Sequence, residues 1–378
     1  METLSAQKEV LGQENLIRNW LFQQTFPFWA DANVNPEGGF YERHSLNGLG
    51  IKGEDSRVRL QARQTYCFAL AAELGWEPET SRQLVERGLD VLINDCRRTD
   101  GLYGTRVKPG SGLTNANAET YDCAFALLAF STAWRVLKIE RAKTAGMALR
   151  EVITQNLKNT AQGGYYERLP APSIREQNPH MHLCETFLAW YEASGEEQSL
   201  KDARDVAEFV QAQFWNADAD VLFELGHSAP DNHVEIGHLY EWVWILHRLR
   251  KLSGQPLMPF AHDLYASALR WDARQPYLPL ASNPDGTVKT AKQRTWGLTE
   301  ALKAHIAHSG EIEQTLITQR IISTTQALFD DHLNSAISGG WTDEISPDGE
   351  PLADWMTPAT GYHIFLAFAE YLEFARGL

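Results

Sequence analysis

Gly38-Gly39-Phe40-Tyr41-Glu42-Arg43, near the start of the chain, returns almost letter for letter as Gly163-Gly164-Tyr165-Tyr166-Glu167-Arg168. Related clusters are Gly101-Leu102-Tyr103-Gly104-Thr105-Arg106 and Gly339-Gly340-Trp341-Thr342-Asp343-Glu344. Fainter ones are Asp220-Val221-Leu222-Phe223-Glu224 and Gln275-Pro276-Tyr277-Leu278-Pro279-Leu280. Aligned on Gly39, Gly101, Gly164, Val221, Tyr277 and Gly340, they stand 62, 63, 57, 56 and 63 residues apart. A glycine turn beside alternating apolar and polar residues reads as a short hairpin. A recurring period of this kind marks a repeat architecture.

Between the clusters the period changes to that of a helix. Leu60, Arg63, Cys67, Leu70 and Leu74 fall three or four apart, as do Tyr121, Phe125, Leu128, Thr132 and Val136. Similar patterns run from His182 to Ala193, Leu200 to Phe214, Ile236 to Arg250, Arg294 to Ala307, Ile312 to Phe329 and Gly361 to Phe374. Two helices and a hairpin, six times over, fit an open solenoid or a closed ring. The count of six points to an (α/α)6 barrel, a toroid of six helical hairpins with short β-hairpins in its loops. No Pro/Gly/Ser linker interrupts the chain, so residues 1–378 are expected to form one catalytic domain.

The bulk numbers remove several classes of function. Over 378 residues, 34 Lys and Arg against 49 Asp and Glu give a net charge of −15. That balance argues against an extended nucleic-acid surface and against docking on anionic membranes. The longest obvious apolar run, Cys123 to Phe130, is far short of the roughly 20 residues of a membrane span. Met1 to Gly12 carries Glu2, Lys8 and Glu9, unlike a signal peptide. The four cysteines form no CxxC pair and read as buried thiols of a reducing compartment. A cytoplasmic monomer or homodimer is expected.

Four stretches carry candidate chemistry. In Asn178-Pro179-His180-Met181-His182-Leu183-Cys184-Glu185, His182 and Glu185 share a helical face. A helix start closed by an ion pair would read the same way. In Gly237-His238-Leu239-Tyr240-Glu241-Trp242, His238 and Glu241 pair likewise on an apolar helix. A carboxylate beside an imidazole orients it and raises its basicity, as acid–base work requires. Arg294 and Trp296 precede Glu300 on a third helix, where Trp suits the face of a sugar and Arg or Glu its hydroxyls. His363 in Thr360-Gly361-Tyr362-His363 opens the last helix, which a closed ring would bring round to the first repeat. Each of these residues has a plain structural use as well; their recurrence at helix starts favours a shared cavity.

Other chemistries fit less well. No Walker loop, GxGxxG, GxSxG or HExxH occurs. His180 and His182, two apart on a helix, point in different directions, so no metal site is expected. Each cysteine sits in an apolar stretch without a histidine partner, which argues against a thiol nucleophile.

The chain resembles the N-acylglucosamine 2-epimerase superfamily, with its aldose–ketose (mannose) isomerase branch, from about Glu14 to Ala375. Leu60-Gln61-Ala62-Arg63-Gln64 is similar to the family's substrate-binding arginine segment, and Tyr121-Asp122-Cys123-Ala124-Phe125 to its YDHAF segment, with Cys123 in place of histidine. Asn178-x-His180-Met181-His182-x-x-Glu185, Gly237-His238-x-x-Glu241-Trp242 and Tyr362-His363 resemble its remaining motifs. Met356-Thr357-Pro358-Ala359-Thr360 looks like the mannose isomerase branch. The resemblance implies His238, oriented by Glu241, for ring opening and His363 for removing the C2 proton to give a cis-enediol. It implies Arg63, with His182, for stabilising the enediolate, and Tyr121, Asn178, Glu185, Arg294, Trp296 and Glu300 for binding the sugar. No cofactor is implied, because the enediol only relocates a proton.

The expectation is therefore a cofactor-free isomerase of D-mannose and D-fructose. A sugar 2-epimerase is the near alternative. An (α/α)6 glycoside hydrolase working through Asp122 or Glu185 is a remoter one, and a sugar-binding scaffold remoter still. A phosphorylated substrate would need Lys or Arg gathered at the cavity mouth. No such cluster is evident in the sequence, which favours a free sugar.

Overall fold

The computed structural model describes residues 2–272 and 278–377, so Gln275-Pro276-Tyr277 of the fifth cluster lies outside the described residues. Twelve helical segments follow one another in inner–outer alternation among those residues. The first, α1, runs over Glu2–Asn19, widens to a π-helical turn at Trp20–Thr25 and resumes over Phe26–Ala32. Then come α2 (Val58–Glu73), α3 (Pro78–Asn94), α4 (Thr120–Leu137), α5 (Glu140–Asn156), α6 (Asn178–Ser194) and α7 (Glu197–Phe214). The rest are α8 (Ile236–Ser253), α9 (Phe260–Asp272), α10 (Thr295–Ala307), α11 (Gln314–Ala327) and α12 (Gly361–Arg376).

The even-numbered helices form an inner ring. Each packs on the next, and α12 returns to α2, which closes the (α/α)6 barrel. Composition explains the division. From Ile236 to Leu246 every residue of α8 is buried, whereas α3 buries only Ser81, Leu84, Val85, Gly88, Leu89, Val91 and Leu92. A helix that is covered all round needs apolar residues all round; an outer helix needs one stripe.

The repeat clusters are what join the units. Arg57 pairs with Arg106, Glu119 with Arg168, Glu176 with Leu225, Glu235 with Ala281 and Arg294 with Glu344. Each pairing lays the segment entering one inner helix against the cluster of the following unit. His44–Ser45 against Trp355–Met356 makes the sixth joint, between the last unit and the first. One backbone bond recurs with them: Val58, Thr120, Gln177, Ile236 and Thr295 donate their N–H to Thr105, Glu167, Glu224, Leu280 and Asp343. These bonds satisfy N–H groups that helix starts leave without intrahelical partners.

The same bonds correct the sequence alignment at one point. After α1 and α5, Tyr41 and Tyr166 donate back across the hairpin, two residues beyond Gly39 and Gly164. In the second unit the equivalent donor is Gly104, so Leu102 and not Gly101 matches Gly39. This hairpin has its positive-φ glycine at Gly101 alone, one residue before the aligned position.

Candidate active site

Residues entering the inner ring are related by the repeat, and that relation builds the site. Arg57, Glu119, Glu176, Glu235, Arg294 and Thr357 occupy equivalent places just before the six inner helices, and all six line one cavity of about 390 Å³. Two residues further on stand Arg59, Tyr121, Asn178, Gly237, Trp296 and Ala359. Six further on, one turn deeper, stand Arg63, Phe125, His182, Glu241, Glu300 and His363. The chemistry is therefore a ring of equivalent positions, one contributed by each repeat.

Nine sequence-predicted residues line this cavity: Arg63, Tyr121, Asn178, His182, His238, Glu241, Arg294, Trp296 and His363. Glu185 and Glu300 do not. They lie beneath it, each holding a histidine that does. Glu185 accepts from His182 Nδ1 at 3.2 Å and from the Tyr362 hydroxyl at 2.5 Å. Glu300 accepts from His363 Nδ1 at 2.7 Å.

The predicted partner of His238 is wrong. Its Nδ1 donates to Glu224 Oε1 at 2.8 Å, not to Glu241. Residues three apart share a helical face, but the hairpin of the same unit carries Glu224 closer to the ring. Gln177 completes the clamp, donating to both Glu224 oxygens at 3.0 Å while its own oxygen accepts from Trp242 Nε1 at 2.8 Å. Glu224 matches Glu42, Glu167 and Asp343 in the aligned clusters, each of them buried beside a helix entry. The repeat itself was thus the signal for Glu224. Glu241 has no hydrogen-bond partner for either oxygen among the described residues, and His182 Nδ1 stands 3.8 Å from it.

Two of the three cavity histidines, His238 and His363, are held in opposite states. Burial disfavours the charge on His238, but Glu224 and Glu235 outweigh it and raise the pKa to about 10. Burial, then Arg63, Lys303 and His182, push His363 well below its usual value. Their Nδ1 contacts with Glu224 and Glu300 leave Nε2 of each ring as the atom that faces the cavity. The Trp296 ring lies beside both, with centroids 4.9 Å from His238 and 5.9 Å from His363.

Arg63 supplies the cation. Its Nη2 donates to the Tyr121 hydroxyl at 2.7 Å, and its guanidinium lies 4.2 Å from the Phe125 centroid and 5.1 Å from that of Tyr362. Rings on that side hold the charge in place without neutralising it. Lys303, absent from the sequence reading, lies below the floor with Nζ 2.6 Å from Glu300 Oε2. A charged residue one turn after Glu300 on an otherwise apolar helix was its signal.

His180 and His182 do diverge. His180 accepts from the Tyr165 amide at 3.0 Å behind the wall, and burial lowers its pKa to about 4. The groups with metal-like spacing are instead His182, Glu185 and Glu241, and Glu241, Glu300 and His363. Lys303 already places a cation against these carboxylates. All four cysteines are buried, and burial pushes the Cys123 thiol up to about 12, far from a nucleophile's range. Asp122 is fully buried against Arg59, with its pKa pushed up to about 6 by burial, and does not reach the cavity. Among the described residues no helix is long and apolar enough to cross a membrane.

The fold also assembles a basic cluster that linear sequence hides. Arg43, Arg57, Arg59, Arg106 and Arg294 surround an outer cavity of about 840 Å³ that shares Arg57, Arg59 and Arg294 with the inner one. Glu42, Glu54, Asp55, Asp343 and Glu344 line the same space. Basic side chains are gathered at the mouth after all, with acids of equal number beside them.

The fold is an (α/α)6 barrel, and family and relatives make the protein an enzyme of the isomerase and epimerase class. Residues 39–367 match the family described as N-acylglucosamine 2-epimerase (GlcNAc 2-epimerase), and the chain belongs to that family. It is 30% identical to a mannose-6-phosphate isomerase of Rhizobium meliloti (strain 1021), over 95% of this chain and 96% of the relative. It is 22% identical to a D-mannose isomerase of Marinomonas mediterranea, over 93% and 95% of the two chains. The solved structure of a cellobiose 2-epimerase from Spirochaeta thermophila superposes with a TM-score of 0.87 at 19% identity, covering 97% of this chain and 98% of that one.

Proposed function

We propose that the protein is an aldose–ketose isomerase of mannose-type sugars, interconverting an aldose and its 2-ketose through a cis-enediol. The observation that carries this reading is the pair His238 and His363, on one cavity, with environments that drive their proton affinities apart. Such a divided pair assigns the acid and the base. His238, as imidazolium, donates to the ring oxygen and opens the hemiacetal. His363 Nε2 takes the C2 proton, and the C–H electrons form the C1–C2 double bond while charge develops on O1. Arg63 stabilises that charge, and the unpartnered Glu241 carboxylate accepts from a sugar hydroxyl. The proton returns to C1, the O2 proton passes to O1, and a ketose results. C1 is reduced as C2 is oxidised, with no net redox change, so the chemistry calls for no external oxidant or reductant.

A 2-epimerase is the second reading, favoured by the family and by the cellobiose 2-epimerase relative. In that outcome the proton returns to the other face of C2, and His238 is the second group able to deliver it. One experiment separates them. Mannose in deuterated water should give fructose with deuterium at C1; glucose deuterated at C2, without ketose, would replace isomerase by epimerase. No ketose, no epimer and no exchange at C2 would together remove both readings. Mannose 6-phosphate belongs in the same assay, since the first relative is named for it and the arginines at the mouth supply donors for a phosphate.

A further inference from the structure

Lys303 is the one fully buried ammonium among the described residues, and the proposed chemistry does not use it. It sits on α10 one turn beyond Glu300, with Nζ 4.1 Å from the Trp244 ring centroid and 2.6 Å from Glu300 Oε2. The other oxygen of Glu300 accepts from His363 Nδ1 at 2.7 Å. Glu300 thus bridges a permanent cation and the proposed base. The geometry points to Lys303 as the positioning residue that keeps the His363 proton on Nδ1 and the lone pair on Nε2, by opposing protonation of Glu300. This rests on His363 being the group that takes the C2 proton.

The surroundings show why a cation is needed. Glu241 from α8 and Glu185 from α6 face the same spot, and Tyr362 from α12 donates to Glu185. Burial and Glu241 push the Glu300 carboxyl well above its usual value, and Lys303 is the cation that pulls it back down. Lys303 in turn is kept charged by Glu300, Glu241 and Glu185 against the pull of burial. Around His363 stand Arg63 from α2, His182 from α6, Arg294 at the entry to α10, and Lys303 itself.

Remove the ammonium, and the Glu300–His363 pair carries an uncompensated buried charge beside two further carboxylates. It relieves that charge by taking up one proton. If the proton goes to the carboxyl, Glu300 donates to Nδ1 and the ring hydrogen moves to Nε2. If it goes to the ring, both nitrogens are protonated. Either way Nε2 loses the lone pair, and it is regained only at higher pH.

The test is Lys303→Met beside Lys303→Arg, read two ways. The acid limb of kcat/KM should rise by a pH unit or more in Lys303→Met, about a tenfold loss near neutrality that alkaline buffer restores. Lys303→Arg should stay close to wild type. In nitrogen-15 histidine spectra, His363 should show its hydrogen on Nδ1 in the wild type and on Nε2 in Lys303→Met. An unmoved acid limb with the proton still on Nδ1 overturns the inference. Should Lys303→Met fail to fold, Lys303→Gln substitutes for it: it keeps a polar neighbour for Glu300 without the charge, and an unmoved acid limb with the hydrogen still on Nδ1 overturns the inference. The spectra need no turnover. Wild-type C2 exchange in His363→Asn would therefore sink the role of the base while leaving the inference about Lys303 separately decided.

Discussion

His238 and His363 begin from the same place and end in opposite chemical states. Each stands near the start of an inner helix, faces the cavity and lies beside the Trp296 ring. Each donates Nδ1 to a buried glutamate at nearly the same distance, 2.8 Å to Glu224 and 2.7 Å to Glu300. What differs is the next charge out. Glu224 is seconded by Glu235 and Glu241, whereas Glu300 is answered by Lys303, with Arg63 and His182 close to the ring. A hydrogen-bonded carboxylate alone does not make a histidine an acid; the charge behind the carboxylate decides.

The comparison breaks most visibly at His363. His363→Asn keeps a side chain able to donate to Glu300 but removes the base, and kcat for isomerisation and C2 exchange should both fall by about 10³-fold or more. His238→Asn should lose about 10²-fold, since some open-chain sugar forms without help. If the two variants lose C2 exchange equally on pre-opened substrate, the division of labour is wrong.

Glu224→Gln sharpens the comparison. Glu224 is the main group raising His238 to about 10. A neutral amide removes that support while burial still acts, so the imidazolium loses its proton at lower pH. The alkaline limb of kcat/KM should move acidward, with about a tenfold loss at mildly alkaline pH. The acid limb, governed by His363 and Glu300, should stay in place. Movement of both limbs together would show that the histidines titrate as one coupled unit.

The repeat made most of this legible, and geometry supplied the remainder. Six hairpins foretold the barrel because each cluster joins two units by a local strand pairing, which is written in neighbouring residues. Arg63, His182, Glu241 and His363 were found as motifs, and their equivalence around the ring explains why they meet. Glu224 and Lys303 were missed for different reasons. Glu224 belongs to a hairpin, where its carboxylate resembles that of Glu42 and Glu167, which serve Arg57 and Arg175. Lys303 is one layer deeper than the motifs, and its meaning depends on carboxylates contributed by α6 and α8. The cluster at the mouth was invisible because Arg43, Arg106 and Arg294 are brought together only by ring closure.

Gly237 offers the smallest and most local way to disturb the comparison. It occupies the layer position that Tyr121, Asn178 and Trp296 fill in other repeats, and the missing side chain is what admits the Trp296 ring. A methyl at Gly237 would stand 2.2 Å from Trp296 Cζ3 and 2.6 Å from Cη2. Trp296 is buried, so its ring can yield only by shifting toward His363 or out into the cavity. Overpacking of this kind costs about 1–3 kcal/mol, a fall in Tm of several degrees for a chain of this size. Gly237→Ala should therefore melt earlier and lose a few-fold in kcat/KM, with both limbs of its pH profile where they were. Glu224, Glu300 and Lys303, the charges bonded to the two Nδ1 atoms or next behind them, do not line the cavity that Trp296 lines, so displacing the ring should alter how the sugar is held without altering which histidine is the acid. A shifted limb in Gly237→Ala would mean that the indole itself helps to set one of the two proton affinities.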